Sequence, residues 1–457
     1  MLKNRFTLFL LLISITLSTA GFSCKLFPTN QPPASLTAST SLEYWGVWDQ
    51  PEDLQPIIND FKALHPNINI TYKKFRLAEY KQKLLEAWAI DQGPDLYSIP
   101  AAWLKEYQDK ITPQPDVVQL AFKQVTKNAV GQTQETTIVQ SVPIFKPSDI
   151  KTQFAEAVFK DVVIDNKVYG LPLSLDTLAL FYNRDLLDAA GIATPPTTWT
   201  ELAQDVKKLT TFDQKNSLLT SGVALGTGNN ITNSADILSL IMMQVGTPMT
   251  AENGQTSFAS ADINNTQRIP ALDALRFYTD FANPIKEVYS WNSKQSNSLD
   301  AFIAGRLGML FTYDYNLPTI KGRAPKLNLG ISNMVQLEGT QKSLNFSNYW
   351  VETVSHKAKN PVIAWGFLNF AAGKDEVQKY LDKTKKPTAL RGLITGQLND
   401  PELSVFASQV LTAQRWYRGK DANKMEELMN QLITDYPESL RPEQLLRQTV
   451  EKINQTL

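Results

Sequence analysis

Side chains able to do metal or nucleophilic chemistry are scarce in this sequence of 457 residues. Two histidines, His65 and His356, and one cysteine, Cys24, cannot build a Cys/His metal cluster or an intramolecular disulfide. A Ser/His/Asp or Cys/His catalytic set meets the same shortage. His65 precedes Pro66 at an expected helix end and His356 lies in a Lys-rich stretch, so both read as solvated surface residues. Aromatic rings are plentiful, with 9 Trp, 15 Tyr and 21 Phe. Most will fill core, but a ring in a loop beside a carboxylate or amide is suited to a sugar, which presents apolar C–H faces and a rim of hydroxyls.

Several positions meet that description. Trp48 and Asp49 follow the first expected strand. Asp95, Tyr97 and Ser98 fall at the end of the third, where parallel sheets receive ligands, although Asp95 could instead cap the next helix. Asp176 interrupts the apolar run Leu171 to Phe181, and an acid there should face water or a ligand. Asn229 lies in ALGTGNN, whose Gly226 and Gly228 lack the lysine of a phosphate loop, so a turn is the simpler reading.

These residues need a scaffold, and the length suggests one of two units of roughly 200 residues, with a cleft between them. Lys plus Arg total 45 and Asp plus Glu total 45. That balance gives no field for nucleic acid and favours a neutral ligand.

At the N-terminus, Lys3 and Arg5 precede an apolar run from Phe6 to Leu17, followed by small residues, as in a secretory signal. The run is shorter than the roughly 20 residues a bilayer crossing needs. Cys24 after Ser23 resembles a bacterial lipobox, with Gly21 and Phe22 departing from its usual pattern, and the resemblance implies lipidation at Cys24. The alternative is a signal cut near Ala20 that leaves Cys24 a free thiol. Residues 25–41, with Pro28, Pro32 and Pro33 among polar residues, read as a flexible tether.

Beyond it, a strand at Leu42 to Val47 precedes a helix carrying Leu54, Ile57, Ile58, Phe61 and Leu64. A strand at Ile68 to Tyr72, a helix with Tyr80, Leu84, Leu85 and Trp88, and a strand at Asp95 to Ile99 complete a parallel α/β pattern. A helix is expected near Val117 to Val130, and a hairpin where Asp165, Asn166 and Lys167 separate β-formers. Thr198 and Glu201 form a capping box, and Asn360, Pro361 and Gly373 bracket another helix.

The segment VYGLPLSLDTLALFYNRDLLDAAGIATPPTTWTELAQDVKKLT, Val168 to Thr210, resembles the signature of family 1 extracellular solute-binding proteins, the maltose and multiple-sugar receptors. GPDLY at Gly93 to Tyr97, AFIAGRLGMLFTYDYN at Ala301 to Asn316 and the segment Asn348 to Leu381 extend the resemblance over most of residues 42–457. It implies an α/β type II periplasmic-binding-protein fold: two discontinuous lobes, a hinge and an interlobe cleft. Lobe 1 is expected from 42–175 and 288–340, and lobe 2 from 176–287 and 341–457. Crossings are expected near 172–176, 284–290 and 338–347.

The resemblance further implies that Trp291, Tyr313, Asp314, Trp350 and Trp416 lie in segments used around the cleft, each with core packing as its alternative. The expected function is a monomeric ABC-importer receptor, lipid-anchored outside the cytoplasmic membrane. It would capture a small solute, a mono- or oligosaccharide, and deliver it to a permease without catalysis, cofactor or metal. Two rivals remain. A secreted glycoside hydrolase would pair carboxylates among Asp95, Asp176, Asp314 and Glu352, and a surface lipoprotein would sense a solute without transport.

Overall fold

The computed structural model describes residues 34–127 and 132–457. The expected signal and Cys24 lie outside them. The tether ends earlier than expected, since Ala34–Thr37 forms a helical turn and the first strand begins at Thr40.

The strand Thr40–Gly46 pairs in parallel with Ile68–Lys74 and with Leu96–Pro100. Crossovers through the helices Pro51–Leu64 and Leu77–Ala89 make this possible. Each helix buries one stripe, Leu54, Ile57, Ile58 and Phe61 in the first and Tyr80, Leu84 and Trp88 in the second. Leu64 and Leu85 fall outside these stripes and are exposed. Trp350–Val354 joins the other edge antiparallel to Leu96–Pro100.

A second sheet has the order Thr211–Phe212, Leu218–Val223, Leu307–Thr312, Ala179–Asn183, Leu329–Ser332. Its helix Trp199–Leu209 starts at the expected capping box, where Thr198 accepts from the Glu201 amide and Glu201 reaches back. Between the two sheets, Asp176–Thr177, Asn345–Asn348 and Ala413–Gln414 form a small third sheet.

Strand pairing corrects the expected lobe membership. Leu307–Thr312 and Leu329–Ser332 flank Ala179–Asn183, so 288–340 builds on the second sheet rather than the first. Trp350–Val354 belongs to the first sheet, not the second. No crossing occurs at 284–290, where the Ser290 hydroxyl donates to the Val223 carbonyl at 2.8 Å within the second lobe. The chain instead returns near 345–350 and leaves the first lobe again after Arg391, whose Nε donates to the Phe154 carbonyl. The resemblance supplied the count of crossings, but apolar strands of the two sheets look alike, so composition could not assign them.

The helix expected near Val117 to Val130 is also corrected. Gln119–Lys127 is a strand that pairs antiparallel with Thr133–Ser141 along its whole length. Val125, Thr126 and the Thr-rich return strand favour the pleat. This hairpin covers the end of helix Pro51–Leu64 and buries His65, 2% exposed, with Nδ1 2.8 Å from the Ala121 carbonyl oxygen. Its ring lies between Phe61 and Phe122, and burial lowers its pKa. His65 is thus a core residue, whereas His356 is exposed as expected. The hairpin at 163–168 forms as read, with Asp165 and Asn166 at φ 49° and 57° making the two-residue turn. Asn360 precedes helix Pro361–Ala371 but its side chain makes no capping bond.

Gly170 shows why the YGLP segment matters. Leu171 exchanges two backbone hydrogen bonds of 3.0 Å with Glu352, holding the crossing strand against the first sheet. A Cβ at Gly170 would lie 2.3 Å from Val351 Cγ1 and 2.8 Å from the Glu352 carbonyl oxygen. Gly170→Ala is therefore expected to destabilise the protein by about 1–3 kcal/mol, measured by urea unfolding. An unchanged midpoint would contradict this packing.

Candidate functional site

A cavity of about 530 Å³ lies between the lobes. The first lobe contributes Trp48 and Asp49 from the loop after Thr40–Gly46, Ser98 and Pro100 from the third strand, and Trp350 and Glu352 from the antiparallel edge. Positions 350 and 352 share a face because side chains alternate along a strand. The second lobe contributes Asn233 and Asp236 around the start of helix Ser234–Gln244, Asp314 and Tyr315 after strand Leu307–Thr312, and Glu426 on helix Ala422–Asp435. Asp176 and Arg415 come from the connecting segments.

Three rings meet across the opening. Trp48, 42% exposed, lies 5.5 Å from Tyr315 of the opposite lobe at an interplanar angle of 32°, and 6.1 Å from Trp350 at 85°. Tyr315 stacks in turn on Tyr313 at 5.6 Å. Polar groups surround this aromatic strip. Asp49 Oδ1 accepts from Tyr380 Oη at 2.8 Å and from Lys386 Nζ at 2.5 Å. Asp176 accepts from the amides of Thr177 at 2.8 Å and Tyr315 at 3.1 Å, so it fixes the loop that carries Tyr315. Burial and the neighbouring Asp314 push the Asp176 carboxyl pKa well up.

Glu352 accepts from the hydroxyls of Tyr44 and Ser98. Burial raises its carboxyl from 4.5 to about 7 even though those hydroxyls favour the charged form. The folded state therefore holds a proton that the unfolded chain releases between those values. Its contribution to stability is full below about pH 4.5 and is lost as pH rises through about 7. The melting temperature is expected to fall across this window, with Glu352 supplying on the order of 2–3 kcal/mol, and Glu352→Gln should flatten the fall. Equal slopes in both proteins would contradict the assignment.

Of the residues expected from sequence, Trp48, Asp49, Asp176, Asp314 and Trp350 line the cleft. Ser98 lines it as well, and the rest are held elsewhere. Asp95, just before the third strand, accepts from the amides of Glu43 on the first strand at 3.0 Å and of Lys359 at 3.2 Å. Tyr97 is core, its hydroxyl donating to the Lys110 carbonyl at 3.1 Å. Trp291 is core, donating to Asn230 Oδ1 at 3.1 Å, and Trp416 is core, donating to Ser239 Oγ at 3.0 Å. Asn229 is exposed beside the turn formed by Gly226, φ 102°. Tyr313 lies beneath the surface, where its hydroxyl donates to Asp236 Oδ2 at 2.8 Å and orients that acid.

Sequence reasoning missed Asp236, Tyr380, Lys386 and Glu426 as cleft residues. Asp236 had a signal, being the one acid in the apolar helix SADILSLIMMQ. Glu426 had none, because an acid on an amphipathic helix ordinarily faces solvent. No group of His, Cys, Asp or Glu among the described residues is arranged to hold a metal ion, and none of their helices is long and apolar enough to cross a membrane.

A family model described as bacterial extracellular solute-binding protein matches residues 56–400. A putative binding protein of Brucella abortus (strain 2308) is 21% identical over 322 residues, covering 70% of this chain and 68% of that protein. The galactooligosaccharide-binding protein of Bacillus subtilis (strain 168) is 23% identical over 319 residues, 66% of this chain and 69% of its own. The crystal structure of the cyclic α-maltosyl-1,6-maltose binding protein from Arthrobacter globiformis superposes with a TM-score of 0.70 at 17% identity, over 91% of this chain and 98% of that one, and so shares the fold.

Proposed function

The chain belongs to the bacterial extracellular solute-binding proteins, and from that premise we propose that it is the receptor of an ABC importer for a carbohydrate, bound between Trp48, Tyr315 and Trp350. The observation that carries this reading is the ring strip spanning both lobes, flanked by carboxylates. Flat faces take the C–H side of a pyranose and the acids take its hydroxyls. A ligand touching both lobes favours the closed form, and the closed form docks on a membrane permease.

Family membership implies work outside the cytoplasm. Cys24 is the proposed lipid anchor to the outer face of the membrane, residues 25–33 the spacer that lets a monomeric receptor reach its permease, and residues 1–23 the exported signal. The hydrolase reading loses support because Asp95 is occupied with backbone amides and Glu352 with two hydroxyls.

A thermal-shift screen against mono- and oligosaccharides tests the function, since a ligand bound only by the native state raises the melting point. A specific rise with one carbohydrate class is expected. A uniform blank across all classes, or turnover of the bound glycan, would overturn the reading.

A further inference from the structure

The second-lobe wall of the cleft and the connecting segment beside it have a charge pattern that plain hydroxyl recognition does not require. Asp176 and Asp314 neighbour each other, Glu426 neighbours Asp236, and the Tyr315 phenol lies within the influence of Asp176, Asp236 and Glu426. The chain as a whole is neutral, so this is local placement and not general acidity.

Asp314 gives the pattern a direction. It is 7% exposed, lines the cavity, and accepts no hydrogen bond from any described residue. Its oxygens are not among the fully buried unpaired atoms and so face the cleft, where a ligand can supply the donor that the protein does not. The lysines nearest to it are engaged, Lys321 with Glu402 at 2.6 Å and Lys386 with Asp49 at 2.5 Å. Arg415 offsets part of the charge on Asp236 and Glu426, but its Nε faces Asp161 at 3.9 Å and its Nη2 donates to the Tyr417 carbonyl. Asp176 and Asp314 are left without a paired cation.

Resting on the carbohydrate-receptor reading, we propose that the preferred ligand is a sugar bearing a free amino group, whose ammonium sits against Asp314 and Asp176 beneath the Trp48–Tyr315 rings. The ammonium would donate to the Asp314 carboxylate, favour the charged form of both acids, which burial and their proximity disfavour, and interact with aromatic faces that attract cations.

The test is calorimetric titration of the whole protein with three oligomers of equal length: glucosamine, N-acetylglucosamine and glucose. The glucosamine oligomer is expected to bind at least about tenfold more tightly than either neutral oligomer, and added salt should reduce that ratio. Asp314→Asn is expected to bring the ratio toward one, and Asp236→Asn, a less buried site, to lower it in the same direction should the first variant fold poorly. Equal or tighter binding of a neutral oligomer by the unaltered protein overturns this inference and leaves the receptor reading standing. Absence of binding by every oligosaccharide overturns both.

Discussion

Trp48→Ala is expected to weaken carbohydrate binding by roughly thirtyfold, or about 2 kcal/mol, the scale of a central tryptophan anchor. Trp48 is the first-lobe half of the only ring contact described between Tyr315 and the opposite lobe, 5.5 Å from that ring. With 42% of its surface open in the cleft, it contributes little to the core. Its removal should change folding stability by no more than about 1 kcal/mol. Titration calorimetry beside urea unfolding separates the two effects. Affinity that survives the substitution would remove Trp48 from the site, and a large loss of stability would make it a packing residue instead.

Asp161→Ala is expected to act on the other side of that division, reducing stability by roughly 3–5 kcal/mol because it strands buried charge. Asp161 is 5% exposed on helix Glu156–Val162 of the first lobe. It accepts from the Tyr349 hydroxyl at 2.7 Å and pairs with Arg418 Nε at 2.9 Å. Arg418 comes from the C-terminal segment that packs on the second lobe, and its Nε also donates to the Lys160 carbonyl at 3.2 Å. Arg415, with 8% of its side chain exposed, would be left without this acid. The cluster therefore clasps the two lobes behind the ligand cleft. Asp161→Asn, which keeps the size and one acceptor, should recover part of the loss. A melting curve unchanged in Asp161→Ala would mean that the clasp contributes nothing to the fold.

Much of the first lobe was legible because each of its early elements carries its own period. The stripe at Leu54, Ile57, Ile58 and Phe61 and the alternation at Ile68, Ile70 and Tyr72 need only one buried face to be read. The capping box at Thr198 and the turn at Asp165 and Asn166 were visible for the same local reason. Lobe membership was not local. Leu307–Thr312 is buried at every position, and such a strand fits the middle of either sheet. Residues 119–141 misled because partly alternating polar strands lack a strong helical or strand signature.

The cleft followed the same division. Trp48 and Asp49 stood after an expected strand and Asp176 broke an apolar run, whereas Asp314 and Trp350 were expected only from the family resemblance; all five line the cavity. Tyr97, Trp291 and Trp416 look the same in sequence but are buried in core; for Tyr97 one residue's difference in register decides between the two faces of its strand, while Trp291 and Trp416 lie in loops whose packing leaves no local trace. Lys386 reaches the site only because helix Lys374–Thr384 folds back on the first lobe, a tertiary fact with no local trace.

Crystallography of the protein with the carbohydrate that the thermal screen selects tests the central claim most directly. The ligand is expected between the lobes, with a ring face on Trp48 or Trp350, contact with Tyr315, and polar groups on Asp176 or Asp314. A ligand bound outside the cleft, or one touching a single lobe with the aromatic strip empty, would contradict the account.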